Sequence, residues 1–76
     1  MKQNHRDYIK EAGAEASSFL QDGYRLTASW SDPSADCLHF FMRHSRNGAQ
    51  IHIKAMLTGY QIIRNSIIIK EVCSGI

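Results

Sequence analysis

Two alternating runs meet at an Asn-Gly step, and that junction constrains the fold more than anything else in this chain. Cys37 to Ser45 and Ala49 to Leu57 each switch between apolar and polar residues, with Asn47-Gly48 between them. A period of two belongs to a strand with one buried face. Asn-Gly suits a turn whose two central residues both need positive φ, so the junction reads as a two-residue type I′ hairpin in which Arg46 pairs with Ala49. Leu38, Phe40 and Met42 then share a face with Ile51, Ile53, Ala55 and Leu57, and that face is the expected core. The opposite face carries His39, Phe41, Arg43, His52, Lys54 and Met56, with Arg43 opposite His52 and Phe41 opposite Lys54.

The flanks extend the hairpin in both directions. Tyr8, Ile9, Ala12, Ala16, Phe19 and Leu20 recur at helical spacing, which predicts an amphipathic helix from about Asn4 to Asp22. Asn4 is the expected N-cap, Asp7 complements the helix dipole in the first turn, and Gly23 suits the left-handed position just past the end. Beyond it, Tyr24, Leu26, Ala28 and Trp30 alternate with Arg25, Thr27 and Ser29, the pattern of a half-buried strand. Ser31 to Asp36 is a turn-rich connector, and Thr58-Gly59 reads as a tight turn. Tyr60–Arg64 and Ile67–Val72 are rich in β-branched residues and read as two further strands joined at Asn65-Ser66. A C-terminal helix is the alternative there, since Tyr60, Ile63 and Ile67 also fit helical spacing. The expected fold class is α+β: an N-terminal helix packed on one face of an antiparallel β-meander of four to five strands, spanning residues 1–76 as a single domain.

That size bears on function. A domain this short buries only about 60% of the surface its unfolded chain exposes, and a ligand cavity of several hundred Å³ would take much of its interior. A self-contained enzyme is therefore not expected. The start of the chain is polar with no apolar segment behind it, and the longest aliphatic run, Ile67-Ile68-Ile69, is far too short to span a bilayer. With only two cysteines, Cys37 and Cys73, the chain lacks the disulfide density of small secreted domains. The expectation is a cytoplasmic protein with free thiols and no membrane association, a Cys37–Cys73 disulfide being the alternative. Its size and simplicity suit a bacterial or phage accessory protein.

Few residue groupings suggest chemistry. Cys37 and His39 lie on one side of a strand, but zinc needs three or four ligands about one point, and the expected register brings Met56 and Thr58 to them instead. As a nucleophile and base, the same pair diverges along the strand. No phosphate-binding Gly-rich loop, nucleophile elbow or metalloprotease motif is present, so no catalytic residue, metal or cofactor is assigned.

Charge gives the one functional lead. The net charge is +2, yet Arg43, Arg46, Lys54, Arg64 and Lys70 fall in a stretch from Cys37 to Lys70 that contains no acid. With Arg25, His39, Phe41, Arg43, His52 and Lys54 on the open face, a weak nucleic-acid binder is one reading: phosphates need the charge, and unpaired bases can stack on Phe41 or on the Arg43 guanidinium. The plainer reading is that charged residues occupy the solvent side of a one-sided sheet. Extending the register also turns Met56, Ile63, Ile68 and Val72 toward the open face, an apolar patch of the kind that marks an interface, unless a bulge in the last two strands turns them inward. The leading expectation is a small non-enzymatic interaction module, binding a protein partner or a second copy of itself through the open face and C-terminal strands. Nucleic-acid binding is the alternative.

Overall fold

The computed structural model describes residues 7–34 and 36–74. One helix, α1 (Tyr8–Gln21), precedes five strands: β1 (Tyr24–Asp32), β2 (Cys37–His44), β3 (Gln50–Met56), β4 (Gly59–Arg64) and β5 (Ile67–Cys73). The strands form one antiparallel sheet in the order β1-β2-β3-β4-β5, and α1 packs over β1, β3 and β4. This is the α+β meander expected from the sequence, with strands rather than a helix at the C-terminal end.

The helix starts at Tyr8, the first residue of its apolar series, and Asp7, expected in the first turn, caps it instead. The Asp7 carboxylate accepts the Lys10 N–H at 3.0 Å. The expected cap, Asn4, lies outside the described residues. Gly23 follows the helix at φ +99, in the left-handed role foreseen for it. Ala12 and Ala16 bring the helix close to the sheet, and Tyr8, Tyr24, Met42, Ile51, Ile53, Ala55, Tyr60 and Ile62 fill the core around them. Each fully buried isoleucine there contributes about 1.5–3 kcal/mol of apolar transfer. Tyr60 Oη donates to Glu15 at 2.9 Å, and Lys70 Nζ forms an ion pair with the same carboxylate, tying the helix to β4 and β5.

Three local features depart from the expected register. The β2–β3 turn is longer than two residues: His44 N–H donates to Ala49 O at 2.8 Å, and Gly48, at φ +72, closes a four-residue loop. The cause lies in the neighbouring α1–β1 junction. Ser45 donates its backbone N–H and its hydroxyl to Gly23 O, and His44 Nε2–H donates to Asp22 O at 3.1 Å, so the end of β2 is held to the β1 side and residues 45–48 loop out of the β2–β3 ladder. Cross-strand partners therefore shift by two, which preserves every face assignment because the side-chain period is also two. Leu57 is an exception, since it sits in the two-residue β3–β4 turn and is exposed. The two-residue turn with positive φ at both central positions falls instead at Asn65-Ser66, φ 48 and 72.

The other two departures are bulges. In β1 the register slips at Thr27, whose hydroxyl donates to Phe41 O at 3.1 Å. One extra residue reverses the facing of everything after it. Ala28 and Trp30, expected beneath the helix, face the open side instead. In β5 the register slips at Ile69, so Val72 pairs with Tyr60 and packs against the core, which corrects its expected place on the open face.

Candidate functional site

The open face is built from alternate residues of all five strands. Its middle row runs Ala28, Phe41, His52, Ile63, Ile68, and a second row runs Trp30, His39, Lys54, Gln61, Glu71. Arg25 and Arg43 face each other at the end nearest the β2–β3 turn. Of the residues expected on this face, Arg25, His39, Phe41, Arg43, His52 and Lys54 are all there, as are Ile63 and Ile68. Met56 has the right facing but lies beyond Lys54, paired with Cys37 and Gly59, away from the middle row.

The two-residue shift changes what these side chains touch. Phe41 pairs with His52 rather than Lys54, Arg43 with Gln50 rather than His52, and His39 with Lys54 rather than Met56. Rings consequently meet rings. Phe41 stacks on His52 with centroids 4.1 Å apart and planes 14° apart, and on Trp30 at 4.9 Å and 13°. His39 stacks on His52 with centroids 5.2 Å apart and meets Trp30 at the same distance with the planes tilted by 30°. His39 Nδ1 and His52 Nε2 lie 2.9 Å apart, a hydrogen bond in which one imidazole donates and the other accepts. Phe41 thus has both ring faces covered. Trp30 ends the column on the edge strand β1, 50% exposed. Trp30 is the member of this site that the sequence did not reveal. Its alternation through Thr27 is unbroken, and no residue pattern marks the bulge that turns it outward.

Partial burial is the main cause that holds the His52 imidazole below its ordinary pKa, and His39 and Lys54 beside it add to the effect. Arg25, Arg43 and Lys54 take part in none of the ion pairs seen among the described residues. Two acids share this facing: Asp32 at the end of β1, beyond Trp30, and Glu71 at the opposite sheet edge, which accepts from Gln61 at 2.7 Å.

Other chemistry finds little footing. Among the described residues no three His, Cys, Asp or Glu side chains converge as metal ligands. Cys37 and Cys73 are free, and three strand spacings separate them in one row, about 14 Å. That exceeds the reach of a disulfide, whose Cα atoms lie within about 7 Å. Among the described residues no helix is long and apolar enough to cross a membrane. Comparison with protein-family models, with curated proteins and with solved structures finds no match.

Proposed function

We propose that this chain is a non-enzymatic interaction module that binds a protein partner across the open face of its sheet. The observation carrying this reading is the middle row of the sheet, apolar at Ala28, Phe41, Ile63 and half-exposed Ile68 about a central His52 and flanked by the Trp30 ring, with Arg25, Arg43 and Lys54 along its borders. An apolar centre with a charged rim is the usual anatomy of a protein interface, and aromatic and arginine side chains are its usual anchors. A second copy of the chain is the poorer occupant, because two such faces bring like charges together. The free thiols suit a reducing cytosol, where we place the chain.

A displayed peptide library tests the proposal. Peptides selected on the wild-type domain are expected to lose binding to Trp30→Lys and Ile68→Lys and to keep it with Lys10→Ala on the helix. No enrichment, or binding indifferent to both lysine substitutions, overturns it. Light scattering on the same sample gives about twice the monomer mass if a second copy is the occupant.

Nucleic acid is the second reading, and one observation favours it. Among the described residues no ring stacks on the outer face of Trp30, which lies at the sheet edge, so an unpaired base can extend the column there. Single-stranded oligonucleotide binding that falls steeply with salt, with a slope reduced by Arg43→Ala and Lys54→Ala, is the expected signature. No binding at low salt ends this reading.

A further inference from the structure

Where β2, β3 and β4 approach their turns, the open face leaves a cleft of about 340 Å³. Phe41 and Ile63 form apolar walls, and Arg43, Gln50, His52 and Ser66 bring polar groups to it. That volume lies at the low end for ligand sites and suits one or two side chains. Arg25 stands directly across from Arg43 on the neighbouring strand. Like charges facing each other across an antiparallel pair are unfavourable, and neither guanidinium takes part in an ion pair seen among the described residues. An anion between them relieves that repulsion, and a guanidinium fork matches a carboxylate in two parallel hydrogen bonds.

We infer that this cleft seats an acidic side chain of a partner peptide at Arg25 and Arg43, with an adjoining apolar side chain of the same peptide packed over His52, against the ring edge of Phe41 and against Ile63. This rests on the reading of the open face as a protein-binding surface. The ring geometry favours a peptide over a nucleotide at this position. Trp30 and His52 cover both faces of Phe41, so a base entering the cleft meets ring edges and aliphatic carbon rather than a stacking platform. Aliphatic side chains pack against such edges without a preferred plane.

An N-acetylated, C-amidated Gly-Asp-Leu-Asp-Gly peptide, titrated into the ¹⁵N-labelled protein, is the probe. Shifts are expected at the amides of Arg43, Gln50, His52 and Ser66, and Arg43→Gln is expected to weaken binding by about tenfold, the worth of one charge-assisted hydrogen bond. Arg25→Gln should act in the same direction. Both residues are exposed, so unchanged melting temperatures are expected and confirm that the fold is retained. The inference fails if the peptide leaves these amides unmoved at millimolar concentration, if its Asn-for-Asp counterpart binds equally well, or if free 2-naphthoate binds as tightly as the peptide. The library selection separates this failure from that of the broader reading. Selected peptides that lack acids yet need Trp30 and Ile68 leave the protein-binding face standing and remove the acidic seat.

Discussion

The helix-covered face of the sheet and its open face come from the same strands, yet they hold their side chains by different means. On the covered face, Met42, Ile51, Ile53 and Ile62 are sealed by α1, and the Tyr60–Glu15–Lys70 bridge pins the helix in place. On the open face no element among the described residues lies above the side chains, and Trp30, Phe41, His39 and His52 support one another sideways. Order on the first face comes from burial, and on the second from stacking along the strand-to-strand direction. The open face therefore stays organised without a cover, which is what a preformed binding surface requires, since little ordering entropy is then lost on association.

Truncation should separate the faces most sharply. Ile53→Ala, at a side chain that is 0% exposed, is expected to cost about 2–5 kcal/mol. Ile68→Ala, at 51% exposure, should cost about 0.5 kcal/mol or less. Urea denaturation of both variants measures the contrast, and equal losses would mean that the open face is covered in solution.

A smaller difference is expected between two glycines. A Cβ on Gly59 would lie 2.2 Å from Val72 O and 2.7 Å from Cys73 Cα, so β5 must move away from β4. Gly48 sits at φ +72 with only the tip of Arg43 nearby, so alanine there meets strain but no backbone. Gly59→Ala should destabilise by more than about 1 kcal/mol and Gly48→Ala by about 1 kcal/mol. Faster amide exchange along β5 in the first variant only would confirm the difference.

The staple on the covered face comes next. Tyr60→Phe removes one hydrogen bond to Glu15 and is expected to cost about 1 kcal/mol. Lys70, and less strongly Tyr60, hold the Glu15 carboxyl below its ordinary range against an opposing effect of burial. Its contribution is present above the unfolded pKa near 4.5 and is lost as pH falls through the lower folded value. Acid denaturation of wild type against Glu15→Gln should show the variant losing less stability between about pH 5 and pH 3.

Which parts of the two faces were legible follows from what sets them. The core face of β2 and β3 could be read because alternation fixes facing, and an error of two residues in the turn leaves facing intact. The pairing itself could not be read. It depends on His44 and Ser45 being drawn to Asp22 and Gly23, residues more than twenty positions away in the chain. The same blindness hid the open site. Its basic residues were visible as a charge pattern, but the ring column exists only because the shifted register sets Phe41 beside His52 and the Thr27 bulge swings Trp30 outward. A bulge inserts one residue into an otherwise regular alternation, and periodicity gives no sign of it when small residues such as Ala28 and Ser29 suit either face. In β5 the slip at Ile69 was anticipated as one outcome, because consecutive isoleucines carry no facing information at all.

The smallest expected effect probes the open face alone. Because burial, with His39 and Lys54, lowers the His52 pKa in the folded state, the unfolded chain binds its proton more readily. Stability should then fall as pH drops below the unfolded value near 6.5 and level off below the folded one. One proton sets a ceiling of about 1.4 kcal/mol per pH unit on the slope, and solvent screening at this partly open site keeps it well below that. The His39–His52 hydrogen bond adds a second consequence. Once His52 is protonated it must be the donor in that bond, since an imidazolium donates to a neutral imidazole and has no lone pair left to accept. Chemical denaturation from pH 8 to pH 5 should therefore show a shallow decline in wild type that His52→Gln abolishes. Trp30 emission should move over the same range as the ring column loosens, while tyrosine signals from Tyr24 and Tyr60 on the covered face stay fixed. Parallel changes in both would show that the two faces respond to acid as one unit.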